Sequence, residues 1–546
     1  MNMLKPFIIV ILMLLFSVVA KAQDKPNVLM IVLDDMNNYV GVMKGHPQAK
    51  TPNIDRLAGQ GILFTNAHSN VPICSPSRAS FMTGVSPVSS RNWGFDDWLK
   101  NETLINSKTL PEYVRENGYN AYATGKVFHN SKKDVWNEMG AIDDYGPLAY
   151  DGNKTTRHPS CPEAMAKNLG PLDATFASLS DVPDVPASDK APGYKGWYNI
   201  KWNNKTPFRY VSDSDRDKMT DEKSVEWFQN KMKTLEYQTN TSPFFIAVGF
   251  IRPHTPLIVP QKYFDMFPLE KVIIPVLKKS NGKENKLELN SDKDTRGRVA
   301  FKALTSSYSS TEKALQKYVQ AYLASVAFAD DMVGQTLDAL EKSRFKDNTV
   351  VMLFSDHGYN LGQKDYLFKY CLWEETTHIP LIIKAPKYYN NAGKTVDHPV
   401  SLIDVYPTIQ ELCSLKGSTL INDKGVGLDG FSLVSFLKNP KTNQWAGPDV
   451  ALTIISSWKS KKPTEQHLSV RSKDYRYSHY TNGSEELYDH NNDPNEWNDL
   501  AEDTKFKKIK EELKSKMFDL VENQAKKTPL SAVLSKEKEN EKKDEK

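Results

Sequence analysis

The chain has 546 residues, 39% of them apolar, with 71 basic against 67 acidic side chains and a net charge of +4. Charge this balanced and dispersed excludes a dedicated nucleic-acid surface, which needs clustered basic residues. The length suits one large α/β domain with an appendage, or two to four smaller units, and the apolar content is enough for a sizeable core.

Residues 1–22 have the pattern of an export signal. Lys5 supplies the charged start, residues 7–19 the apolar run, and Ala20-Lys21-Ala22 the small-x-small cleavage site. The run is too short to span a bilayer comfortably, and no other stretch is long and apolar enough. The expectation is a periplasmic or secreted bacterial protein with no membrane insertion once the signal is removed. Four cysteines, Cys74, Cys161, Cys371 and Cys413, do not make a disulfide scaffold.

Residues 27–33 (N-V-L-M-I-V-L) are an uninterrupted apolar run ended by Asp34 and Asp35. Apolar on both faces, the run predicts a central parallel strand with the acidic pair at its carboxyl end. In open α/β sheets, sites gather there. A helix is predicted over 51–59, with Thr51 as N-cap, Pro52 in the first turn and Gly59 as the stop, and a short strand over 62–64. Then comes C-S-P-S-R-A-S-F-M-T-G (74–84), a Pro-Ser turn that opens a helix and sets Cys74 and Arg78 on one side of it. A helix over 109–117 and a turn and strand over 118–125 deliver Lys126 and His129 in the run G-K-V-F-H.

Residues 131 to about 215 lack clean periodicity and predict a long insertion over the site, the kind of segment that selects substrate. A helix over 217–233 and a buried strand over 244–249 follow, the latter leading to Arg252-Pro253-His254. The charged stretch 278–298 reads as a surface loop. The longest helix, 312–342, sets Leu315, Val319, Tyr322, Val326, Val333, Leu337 and Leu340 on one face. Asp330 and Asp331 inside it point apart and are not read as a metal pair. A second fully apolar strand over 349–354 ends in S-D-H-G, with Asp356 and His357. Lys369 follows in L-F-K-Y, and residues 380–385 continue the sheet.

From about 450, short strands and a T-N-G turn at 481–483 predict a small antiparallel sheet closed by a helix over 505–525. The charged tail reads as disordered. The expected organisation is a signal over 1–22, a catalytic unit over 23–445, a C-terminal subdomain over 446–526 and a tail over 527–546. Within it, strands of one parallel sheet bring Asp34, Asp35, Asp356 and His357 together. Three carboxylates make a hard oxygen site suited to calcium or magnesium.

C-S-P-S-R with its T-G, the D-D strand end, G-K-V-F-H, R-P-H-T-P, S-D-H-G and the downstream Lys369 together resemble the type I sulfatases. The D-H-G form, where many members carry asparagine beside the aspartate, resembles the iduronate-2-sulfatase-like branch. The resemblance runs from residue 27 to about 500 and includes the late E-L-Y-D…D-P-x-E pattern. It implies an α/β, alkaline-phosphatase-like fold: a large, mostly parallel sheet flanked by helices, with a smaller C-terminal antiparallel-sheet subdomain.

The same resemblance implies that Cys74 is oxidised to formylglycine (3-oxoalanine) by a formylglycine-generating or anaerobic sulfatase-maturating enzyme. The hydrated aldehyde is then the nucleophile, and the residue joins Asp34, Asp35, Asp356 and His357 on one Ca2+, with Mg2+ as the alternative. Arg78 is expected to hold the nucleophile and sulfate oxygens. Lys126, His254 and Lys369 are expected on the sulfate, one of the latter two protonating the leaving sugar hydroxyl, and His129 is expected to abstract a proton from the second hydroxyl. With Cys74 converted, at most one disulfide remains among Cys161, Cys371 and Cys413. His46, His68 and His378 are structural or unassigned on sequence alone.

The expected substrate is a sulfated oligo- or polysaccharide, either ulvan-type rhamnose and iduronate sulfates or glycosaminoglycan iduronate 2-sulfate. Two other readings stay open: a phosphodiesterase or phosphonate hydrolase of the same superfold, and a catalytically silent carbohydrate-binding protein with an intact thiol at Cys74.

Overall fold

The first apolar run becomes β1 (Asn27–Asp34), every residue of it buried. In this computed structural model, which describes residues 25–130, 132–142, 144–200, 206–238, 242–277 and 296–528, β1 lies inside an eight-stranded sheet. The other strands are β2 (Ile62–Phe64), β3 (Asn120–Gly125), β4 (Glu138–Met139), β5 (Phe244–Pro253), β6 (Thr349–Ser355), β7 (Leu381–Lys384) and β8 (Lys394–Val396). Their order across the sheet is β8-β2-β7-β6-β1-β5-β3-β4. β1 pairs in parallel with β5 on one side and β6 on the other, β5 with β3, and β3 with β4, whereas β7 runs against both its neighbours. Residues 1–22, where an export signal is expected, the stretch 278–295 and the tail from 529 lie outside the described residues.

Alternate residues of β1 feed two cores. Leu29, Ile31 and Leu33 join one cluster, and Val28, Met30 and Val32 the other. Each such fully buried side chain contributes about 1.5–3 kcal/mol, which is why a strand apolar on both faces belongs at the centre. On the first face lie α4 (Thr220–Tyr237) and α6 (Thr311–Glu341), preceded in the chain by α1 (Pro52–Gln60), α2 (Cys74–Thr83) and α3 (Glu163–Asp173); α5 (Arg296–Thr305) leads into α6. The stripe from Leu315 to Leu340 expected for α6 is buried.

Two local readings change. Thr51 stands at the N-cap of α1, but its side chain does not cap the helix; its hydroxyl accepts from the Gly41 amide at 2.8 Å and donates to Asp55 at 3.2 Å. The cap comes from α6, where Asp330 accepts the amides of Asn53 and Ile54 at 3.1 and 2.8 Å. Its neighbour Asp331 points elsewhere and accepts the Tyr263 hydroxyl. The insertion, which lacks periodicity, folds into α3, a four-stranded sheet and several two-residue strands. Among the described residues all four cysteines are free and buried, and no helix is long and apolar enough to cross a membrane.

The C-terminal sheet, β9 (Ala451–Ile455), β10 (His467–Arg471), β11 (Tyr475–His479) and β12 (Glu485–Asp489), is antiparallel in sequence order and packs against α7 (Lys507–Ala525). Buried Arg476 ties it to the segment after Lys369. Its guanidinium pairs with Glu496 at 2.6 Å and with Glu374, and donates to Thr377 at 2.9 Å. Removing one partner of a buried pair strands the other charge, so Arg476→Met is expected to cost about 3–5 kcal/mol, read as a lower urea midpoint than wild type.

Candidate active site

Register brings the carboxyl ends of four strands to one edge of the sheet. Leu33 lies opposite Ser355, which sets Asp34 and Asp35 beside Asp356 and His357. Asp34 lies opposite Pro253, which brings up His254, and Gly249 lies opposite Gly125, which brings up Lys126. The last crossing leaves no room for side chains: a Cβ on Gly249 would stand 2.0 Å from the Lys126 carbonyl oxygen.

Successive strand residues point to opposite faces, so two adjacent aspartates share one site only if the chain turns between them. Asp35 has φ 63°, in the left-handed region that Asp tolerates. The Tyr322 hydroxyl, 2.6 Å from the Asp35 carbonyl, holds that turn.

α2 starts at Cys74 and stops at Gly84, which takes φ 68° and returns its amide to Ser80. All ten of its residues are buried. The serine of the P-S-R run has a mechanical role: Ser77 and Ser69 each donate to the Asp356 carbonyl at 2.7 Å, locking the helix start to the end of β6. One turn on, Arg78 donates to Asp356 Oδ2 at 2.8 Å and to the carbonyls of Lys126 and Val127. Its Nη2 has no hydrogen-bond partner and lies 3.7 Å from Asp34.

Cys74 Sγ sits among these groups, 3.1 Å from Lys369 Nζ, 3.3 Å from His357 Nε2 and 3.4 Å from Asp34 Oδ1. Lys126 pairs with Asp34. Asp35 faces Lys369 at 3.0 Å, His357 at 3.1 Å and His254 at 3.8 Å. The ligand atoms of Asp34, Cys74, Asp356 and His357 lie within 4.8 Å of one another, and so do those of Asp34, Asp35, Cys74 and His254. Sγ marks where a formylglycine oxygen would stand.

The donor set fits a hard divalent cation. Burial raises Asp35 to about 7 despite Lys369 and His357, the behaviour of a carboxylate short of positive charge. Burial opposes ionisation of Asp34 too, but the cationic side chains of Lys126, Arg78 and Lys369 outweigh it and hold Asp34 well below the ordinary range. Burial also works against Lys126 and Lys369, and the facing Asp34 and Asp35 respectively raise both above a normal lysine. The three carboxylates thus face three cations, Arg78, Lys126 and Lys369. Burial and the lysines keep the two histidines uncharged: His254 is held well below its usual value and His129 is pushed down to about 4.

Above this floor opens a cavity of about 800 Å³, lined by Cys74, His129, His254 and Lys369. Asp34, Asp35, Arg78, Lys126, Asp356 and His357 lie beneath them, buried. His129 Nδ1 is buried without a partner. The insertion supplies Asp144, Tyr145 and Asp173 to the walls, and the C-terminal part supplies Trp458. Sequence reasoning missed Tyr145, whose ring lies 4.7 Å from Lys126 Nζ and 4.9 Å from the His254 ring. It stands in an aperiodic stretch that gives no signal. His46, His68 and His378 bond the Ile273 carbonyl, Asn66 and the Thr65 carbonyl, outside the cavity.

A family model described as Sulfatase matches residues 26–415, and one described as N-sulphoglucosamine sulphohydrolase, C-terminal, matches 362–523. A sulfatase of Formosa agariphila is 34% identical over 91% of this chain and 87% of its own. The iduronate 2-sulfatase of Homo sapiens is 30% identical over 76% of this chain and 68% of its own. The solved phosphonate monoester hydrolase of Agrobacterium radiobacter shares the fold, with TM-score 0.62 and 21% identity over 91% of this chain and 96% of that one.

Proposed function

The chain belongs to the sulfatase family and is a sulfuric ester hydrolase, and from that premise we propose that it is an exported enzyme that removes sulfate from the sugars of a sulfated polysaccharide. The residues proposed to act are Cys74, Arg78, Lys126, His129, His254 and Lys369, with Asp34, Asp35, Asp356 and His357 as metal ligands. The observation that carries the reading is the position of Cys74 Sγ, within 3.4 Å of Asp34, His357 and Lys369 in the floor of the cavity. Oxidised to formylglycine and hydrated, Cys74 would supply the attacking oxygen, and a calcium ion on the aspartates and His357 would lower that oxygen's proton affinity.

The other roles belong to the chain's own side chains. Lys126 and Lys369, fixed by Asp34 and Asp35, present positive charge to the sulfate and to the oxygen that leaves. Arg78 spends most of its donors on Asp356 and the Lys126 backbone and so acts first as a brace, with Nη2 left for an anion. His129 lines the cavity with its Nδ1 unpartnered, and that atom is where it would take up a proton. His254 cannot easily hold a proton in this setting, so of the two groups proposed to protonate the leaving hydroxyl, Lys369 is the better supplied.

Similarity to the human iduronate 2-sulfatase supports a sulfated uronate, in glycosaminoglycan or in ulvan-type polysaccharide, as substrate. The apolar pattern of residues 7–19 supports export. The separate antiparallel sheet β9–β12 with α7 supports a subdomain over 446–526 after a catalytic unit over 23–445.

The phosphonate hydrolase of like fold makes matched substrates the right test. Sulfate and phosphate monoesters and diesters of one alcohol are expected to give the highest kcat/KM for the sulfate ester. A much faster phosphate reaction would overturn the choice.

A further inference from the structure

Resting on the reading that the substrate is a sulfated sugar, we propose that Arg296 forms a second anion subsite in the same cavity. It would select saccharides that carry a further acidic group, a carboxylate or another sulfate, beside the sulfate to be cleaved. Arg296 opens α5 and lines the cavity with Cys74 and Lys369. Its guanidinium lies over the ring of Phe368, 4.8 Å from the centroid. The next residue, Lys369, reaches Cys74 Sγ at 3.1 Å. One short segment therefore spaces the two cationic positions.

One side of the guanidinium is held: Nη2 donates to Asp173 at 2.6 Å and to the Leu169 carbonyl at 3.2 Å. Nε is buried and has no partner. A buried donor left unpaired costs about 1–3 kcal/mol, so the guanidinium is short of acceptors where it stands. Asp173 orients Arg296 and is itself occupied, its Oδ1 accepting the Thr255 hydroxyl at 2.6 Å. Both members line the cavity, but the arginine side chain remains 41% exposed against 14% for its partner, so the cation is the more accessible of the two. The deeper cations are committed to Asp34, Asp35 and Asp356, which leaves Arg296 unused by the sulfate chemistry. A planar guanidinium fixed by stacking suits a planar carboxylate or a sulfate edge better than a flexible ammonium does.

The test uses two matched pairs of sulfate esters: a uronate 2-sulfate disaccharide against its carboxyl-reduced analogue, and a disulfated against a monosulfated neutral disaccharide. Wild type is expected to favour the more acidic member of at least one pair by about tenfold or more in kcat/KM, chiefly through KM. Arg296→Gln is expected to bring that ratio close to one, and Arg296→Lys to restore part of it. The pair whose ratio collapses identifies the anion. If Arg296 only staples α5 to α3, both members of a pair fall together and the ratio stays as in wild type, which overturns the proposal. So does a wild type with no preference in either pair. Calorimetry with the desulfated products, one a uronate and one still sulfated, needs no turnover and separates the two readings. Product binding weakened about tenfold by Arg296→Gln upholds the subsite even if no ester is hydrolysed, and unchanged binding of both products overturns it.

Discussion

Cys74→Ala is expected to abolish turnover of sulfate esters, lowering kcat by about 10⁴-fold or more, in a protein that still folds. The residue is buried at the start of α2, and its thiol is held by Asp34, His357 and Lys369 instead of packing a large apolar volume. Alanine keeps the helix start, and the ties from Ser69 and Ser77 to the Asp356 carbonyl do not pass through Sγ. Stability should therefore change by about 1 kcal/mol, the ordinary size for a point substitution. As a thiol, Cys74 is also a poor nucleophile in this setting: burial and Asp34 push its proton affinity up despite the two lysines. Its chemistry would have to come from an oxidised side chain. Wild-type rates in the variant, with unchanged unfolding, would remove Cys74 from the mechanism.

Removal of divalent cations is expected to lower kcat by about 10³-fold or more, with calcium restoring activity best. Asp34, Asp35 and Asp356 are buried, and burial lifts Asp35 to about 7 despite the facing Lys369. A cation that binds the native protein and not the unfolded chain also stabilises it, by about 2.7 kcal/mol at a hundred times its dissociation constant. Melting with and without calcium therefore reads the site without any assay of activity. Full activity and an unchanged melting temperature in chelator-treated protein would refute it.

Much of the sheet was legible because its determinants are local. β1 and β6 are apolar on both faces and end in acidic residues, so their burial, direction and shared edge follow from pattern. The α6 stripe follows from period in the same way. What pattern could not show depends on partners distant in the chain. The cap on α1 comes from Asp330, far along α6, while Thr51 is drawn to Gly41 and Asp55. The insertion is built from strands of two or three residues, too short to carry an alternation, so its sheet and Tyr145 beside Lys126 were invisible. The bracing part of Arg78 is not written in C-S-P-S-R either: most of its donors hold Asp356 and a backbone turn, because a fully buried guanidinium must satisfy its donors where it lies.

If Cys74 acts as an aldehyde, the mass of the peptide that contains it must show the conversion. In protein made in a host with the maturating enzyme, that peptide should be lighter than its thiol form by the exchange of CH2SH for CHO, and it should react with a hydrazide. A peptide that keeps its thiol, in a preparation that hydrolyses sulfate esters at full rate, would contradict the account.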